Sequence, residues 1–230
     1  MIKNTLTFYG INFTGWSGLV RRTCLQYNLP DPLQYLQYPW RPDRWRAHCK
    51  QVVQKFWDRK LINIAEDMPT LIYMDTEYIS TSVPMRIWQL AGLCSDSVRA
   101  ATIVNWMVMG VYFTRELLFS MKKVETPKCL GCSENVDENL THFLLYCSYY
   151  KEVRESYLPR FVENNKKISE ILENETLIML SILDPLHSKL PESISRGWQS
   201  GKIAYEISRK FCFNMHMKRE KLYKECDKKM

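Results

Sequence analysis

At 230 residues the chain is long enough to bury a sizeable core without disulfides, and 46% hydrophobic against 25% charged residues excludes a disordered polymer. Eight glycines and ten prolines are too few for collagen or a glycine-rich linker. The net charge is +7, yet residues 193–230 hold ten basic side chains against four acidic ones, leaving +1 for everything before them; a basic segment of this kind favours polyanions such as nucleic acid.

Residues 1–10 lack the apolar run and small-residue cleavage site of a secretory leader. The uncharged apolar stretch at residues 100–114 is too short to span a bilayer. The expectation is a soluble, intracellular protein without a membrane partner, and the Asn-x-Thr sites at Asn12, Asn139 and Asn174 are then chance matches. In a reducing compartment eight cysteines point to thiols or metal ligands rather than disulfides.

In chain order, residues 1–29 read as mixed, with Gly10, Gly15 and Gly18 interrupting any long helix, and Pro30, Pro32, Pro39 and Pro42 mark turns. Trp45, Cys49, Val52, Val53, Phe56, Trp57 and Leu61 recur at three- and four-residue spacing, which predicts an amphipathic helix over 42–64 capped by Asp43. Residues 69–84, rich in Thr, Ile and Tyr, read as a short strand or extended loop. Pro84 opens a helix to about 93. Ser95-Asp96 then caps a long apolar helix over 98–121, with Ile103, Trp106, Met107, Met109, Tyr112 and Phe113 on its buried side. Further helices are expected over 149–157, ended by Pro159, and over 168–183. The last covers 191–225, with Ile194, Trp198, Ile203, Ile207, Phe211, Met215 and Leu222 on one face. The fold class is mainly α: an irregular helical domain with an inserted Cys3His knuckle and a long C-terminal helix.

The chemistry-bearing stretch is Cys129-Leu-Gly-Cys132 followed by His142 and Cys147, a C-x2-C-x9-H-x4-C pattern. Three thiolates and an imidazole fill all four positions of a tetrahedral zinc, so one structural Zn²⁺ is expected, with no open position for catalysis. Gly131 suits the tight knuckle between the first two ligands. His142 and Cys147 are five residues apart, roughly 140° around an ideal helix, so the backbone between them must depart from α geometry. Three thiolates around Zn²⁺ leave about −1, which Lys122, Lys123 and Lys128 are near enough in sequence to offset. Cys24, Cys49, Cys94, Cys212 and Cys226 read as ordinary thiols.

No catalytic motif stands out, so no enzymatic activity is expected of this chain. Paired adjacent aspartates are absent, Gly201-Lys202 lacks P-loop spacing, and Gly197-Trp-Gln-Ser200-Gly201 misplaces the serine of a nucleophile elbow.

The run from Gly110-Val-Tyr112 through Lys128-Cys129-Leu-Gly-Cys132, Glu138, His142-Phe-Leu-Leu-Tyr-Cys147, Tyr150 and Arg154 resembles the zinc-binding region near the C-terminus of non-LTR (LINE-type) retrotransposon reverse transcriptases. Asn28-Leu-Pro-Asp-Pro32 and the segment 45–57 resemble the helical region that follows the polymerase domain there. The resemblance implies three regions: 1–126 after a polymerase domain, a zinc knuckle at 127–150, and a helical region at 151–230 with the basic tail. It also implies a fragment or truncated copy, a role in holding RNA or target DNA, and the rest of a reverse transcriptase polyprotein as a partner. The residues expected to contact phosphates are Lys122, Lys123, Lys128, Lys151 and Arg154 around the knuckle and Lys202, Arg209, Lys210, Lys218 and Arg219 on the tail helix. Tyr146, Tyr149 or Tyr150 would stack on bases. The alternative is a zinc-stapled structural or protein-interaction domain.

Overall fold

A computed structural model describes residues 15–81 and 83–227, so expectations for Asn12, residues 1–14 and Lys228 and Lys229 lie outside the described residues. The architecture is mainly α, with no strand among the described residues beyond an isolated antiparallel bridge between Lys128 and Asp137. Contacts divide the chain into two compact units, Met1–Ile64 and Ala65–Met230.

In the first unit α1 (Gly15–Gln26) forms despite Gly15 and Gly18, so the glycine-broken reading of this stretch is corrected from Gly15 onward. The chain leaves α1 through Asn28 in the left-handed conformation, φ 53°, while the Leu29 amide returns to the Cys24 carbonyl. Asp31 caps α2 (Pro32–Gln37) by accepting from the Leu33 amide at 2.9 Å. The predicted amphipathic helix is α3 (Pro42–Asp67), within which the division between units falls. It begins at Pro42 itself, with the Trp45 amide already bonded to the Arg41 carbonyl, so Asp43 sits in the first turn and is not the cap. Its stripe meets α1 and α2 through Tyr27 against Phe56 and Tyr35 against Trp45, with ring centroids 4.9 and 4.7 Å apart.

In the second unit the stretch expected as a short strand or extended loop holds a 3-10 turn (Pro69–Leu71) and a short helix, α4 (Glu77–Thr81). After α5 (Arg86–Gln89), α6 (Ser95–Val108) stops far short of 121, because Gly110 turns the chain at φ 65°. A Cβ there would lie 2.2 Å from the Thr70 carbonyl oxygen, so the break depends on a residue forty positions upstream. Thr114 then caps α7 (Arg115–Ser120). The break changes which side chains are buried: Ile103, Met107 and Tyr112 are, while Trp106 and Phe113 are 41% and 55% exposed.

Beyond the knuckle, α8 (Lys151–Asn164) runs straight through the exposed Pro159, which does not end it. The helix expected over 168–183 is a 3-10 turn (Lys166–Ile171) and then α9 (Glu175–Leu183), which Asn174 caps through the Leu177 amide. The expected last helix is also two, α10 (Glu192–Gly197) and α11 (Gly201–Asp227). Gly197 lies so close to Asn165 that a Cβ would come within 2.2 Å of its Oδ1. The α11 helix packs on α6 and α8, burying Ala204, Tyr205, Ile207, Phe211, Cys212 and Met215 with Met107, Val108, Phe143, Tyr150 and Phe161, while Ile203 is left 37% exposed.

Candidate metal centre

A closed loop carries the first two ligands. The Cys129 amide bonds to the Val136 carbonyl and the Glu138 amide to the Pro127 carbonyl, both at 2.9 Å, and Lys128 pairs with Asp137 at 2.8 Å across the loop mouth. Between the cysteines, the Gly131 amide donates to Cys129 Sγ at 3.3 Å. A Cβ on Gly131 would come within 2.9 Å of Tyr149 Cβ, so glycine is required there by close packing and not by a positive φ.

The second pair is delivered by a single π turn, His142–Tyr146. Asn139 Oδ1 accepts from the His142 amide at 2.7 Å to start it, and the Cys147 amide returns to the His142 carbonyl at 2.8 Å to close it. The wider i to i+5 turn brings residues five apart to one side, which an undistorted α-helix cannot do. This is the backbone departure that the spacing demanded. Asn139 and Asn174, read as chance glycosylation matches, are both helix-starting caps.

The four ligand atoms of Cys129, Cys132, His142 and Cys147 lie within 4.8 Å of one another, close enough to hold a metal ion. Cys129 Sγ is 3.6 Å from Cys147 Sγ, and Cys132 Sγ is 3.5 Å from His142 Nε2. A tetrahedral ion with Zn–S about 2.3 Å and Zn–N about 2.0 Å has edges of about 3.8 Å between sulfurs and about 3.5 Å between sulfur and nitrogen. Cys129, His142 and Cys147 are buried and Cys132 is half-buried. The hydrogen bond from the Cys147 thiol, outweighing burial, pulls Cys129 down to about 4, and the same bond raises Cys147; burial raises Cys132. A metal bound by these sulfurs would displace the thiol protons of the set.

The surroundings tie this loop to the core. Glu138, 1% exposed, accepts from Arg219 Nε at 2.5 Å and from the Tyr223 hydroxyl at 2.8 Å. Arg219 also donates to the Phe113 carbonyl at 2.6 Å and lies over the rings of Tyr112 and Tyr223. Arg154 Nη2 donates to the Cys147 carbonyl at 2.6 Å, placing a half-buried cation beside the cluster.

The residues expected to contact phosphates differ in their burial and in the partners they meet. Arg219 and Arg209 are each only 5% exposed, the first paired with Glu138 and the second reaching the Ile87 carbonyl. Arg154 is committed to Cys147, and Tyr150 is buried at 1%. Lys128, Lys151, Lys210 and Lys218 face Asp137, Glu155, Glu206 and Glu152. Lys122, Lys123 and Lys202 are exposed, as is Tyr146, whose hydroxyl donates to Glu175. The tail charge concealed a second feature: residues 15–64 hold nine basic side chains against three acidic, and 65–192 hold twelve against eighteen.

The fold and site thus define a mainly α-helical protein with a Cys3His cluster able to hold a metal ion. No protein-family model, no curated protein and no solved structure matches the chain. No helix among the described residues is long and apolar enough to cross a membrane.

Proposed function

We propose that Cys129, Cys132, His142 and Cys147 hold one structural zinc ion, and that the chain is a non-catalytic, zinc-stapled helical module that binds RNA or DNA through its phosphates. The observation that carries the metal reading is the gathering of four protein ligand atoms within 4.8 Å, two of whose six spacings, 3.6 and 3.5 Å, match the edges of a zinc tetrahedron. Three sulfurs and one imidazole nitrogen suit zinc above harder cations. Bound there, the ion would join the loop 127–138 to the π turn and so order both, a contribution on the order of 10 kcal/mol to this segment.

The nucleic-acid reading is supported by the resemblance of residues 110–160 to a reverse transcriptase zinc-binding region and by the exposed Lys122, Lys123 and Lys202. In that reading the remainder of a polymerase polyprotein is the natural partner. A second reading, a structural or protein-interaction domain, draws support from the burial of Arg209 and Arg219 and the carboxylate partners of Lys210 and Lys218. Oligonucleotide binding measured against salt separates the two. Phosphate contacts give a log K that falls linearly with log salt, and a flat response supports the structural reading. For the metal, Cys132→Ser should abolish stoichiometric zinc while the wild-type chain retains it through gel filtration.

A further inference from the structure

The first compact unit carries a surface that the zinc centre does not use. Trp45, Cys49, Val52, Val53 and Phe56 form the half-buried stripe of α3. At about 100° per residue, Arg46, Lys50, Trp57 and Lys60 fall along one edge of that stripe, within an arc of roughly 80° and over about 21 Å of helix. All four are exposed, Trp57 by 39%, and Lys60 Nζ lies 5.0 Å from the centre of the Trp57 ring. The opposite edge carries Arg44, Lys55 and Arg59, also exposed. Between 41 and 64 the only acidic residues are Asp43 and Asp58, and Asp58 accepts from Gln54 at 2.7 Å. None of these six cations forms an ion pair among the described residues.

Seven lysine and arginine side chains between 41 and 60, without carboxylate partners among the described residues, make a positive surface that attracts polyanions. An exposed indole within the basic row adds what an acidic polypeptide does not use, a flat π surface on which an unpaired base can stack. We propose that the Arg46, Lys50, Trp57, Lys60 row of α3 binds single-stranded nucleic acid, with the three cations on successive phosphates and Trp57 against a base. The proposal rests on the nucleic-acid reading above and assigns it a surface remote in sequence from the zinc ligands and the tail.

The test uses the full zinc-loaded chain and a fluorescein-labelled oligouridylate of about 20 nucleotides, with anisotropy read at several salt concentrations. Arg46→Glu/Lys50→Glu/Lys60→Glu should weaken binding at least about tenfold and lower the salt slope by about 2, three contacts at about 0.7 each. Trp57→Ala should weaken it about fivefold or more with the slope kept. Lys122→Glu/Lys123→Glu/Lys202→Glu, three cations the nucleic-acid reading also counts, should weaken binding by less than the α3 triple variant does. Circular dichroism checks each fold, and the corresponding triple alanine variant replaces the glutamate one if that unfolds. Loss of binding in the Lys122, Lys123, Lys202 variant alone overturns this surface but leaves the nucleic-acid reading standing. Salt-independent or absent binding by the wild type overturns both. Equal affinity for labelled polyglutamate, or for a duplex of the same length, overturns the single-stranded ligand.

Discussion

Replacing Glu138 by alanine should be among the most damaging single changes outside the cysteines. The carboxylate is 1% exposed and Arg219 5%, so the variant leaves a guanidinium buried without its counter-charge and the Tyr223 hydroxyl without its acceptor. Removing one member of such a pair costs about 3–5 kcal/mol, because the remaining charge keeps its desolvation penalty and loses its compensation. For a chain of this length that corresponds to a fall in Tm of about 6–20 °C. Thermal unfolding of the zinc-loaded protein by circular dichroism reads it directly. The double variant Glu138→Ala/Arg219→Met should cost less than the sum of its singles by about 0.5–3 kcal/mol, since neither charge is then stranded. Single changes costing under about 1 kcal/mol, or strict additivity in the double, would refute the claim that this pair fastens the metal loop to α11.

Two further outcomes follow from contacts made far along the chain. Gly110→Ala should destabilise by several kcal/mol in the same unfolding assay, since the Cβ would meet the Thr70 backbone oxygen at 2.2 Å and φ is 65°; a change under about 0.5 kcal/mol would contradict the break between α6 and α7. Burial would raise the Asp75 carboxyl, but hydrogen bonds from the Ser188 and Glu77 amides and the Ser188 hydroxyl outweigh it and hold it below the ordinary carboxylate range. Its contribution is therefore fully present above the unfolded value of about 3.9 and disappears as pH falls through the lower folded value. Asp75→Asn should lower stability at neutral pH by about 1–3 kcal/mol and flatten the acid limb of the stability curve. An unchanged acid limb would remove Asp75 from the account.

What could be read from the residues was what is local. The stripe of α3 follows from its own helical period, and the four candidate metal ligands lie within nineteen residues, so spacing alone named them and even required the non-α turn between His142 and Cys147. The misreadings come from long-range contacts. Apolar periodicity runs continuously across Gly110 and Gly197, yet Gly110 takes φ 65° and both glycines pack where a Cβ would strike Thr70 or Asn165. Pro159 lies on an exposed face, where a helix already held by Tyr157 and Phe161 in the core tolerates it. Arg219 reads as a solvated tail cation until Glu138, 81 residues earlier, is seen to bury it. Counting tail charge also hid the opposed charges of 15–64 and 65–192, which cancel in a single sum.

The central claim is that Cys129, Cys132, His142 and Cys147 hold one zinc. Elemental analysis of the reduced, folded chain after gel filtration tests it most directly. The expected result is one zinc per chain in the wild type and none in Cys132→Ser. A metal-free wild type with all cysteines reduced, or an undiminished zinc content in the variant, would contradict it.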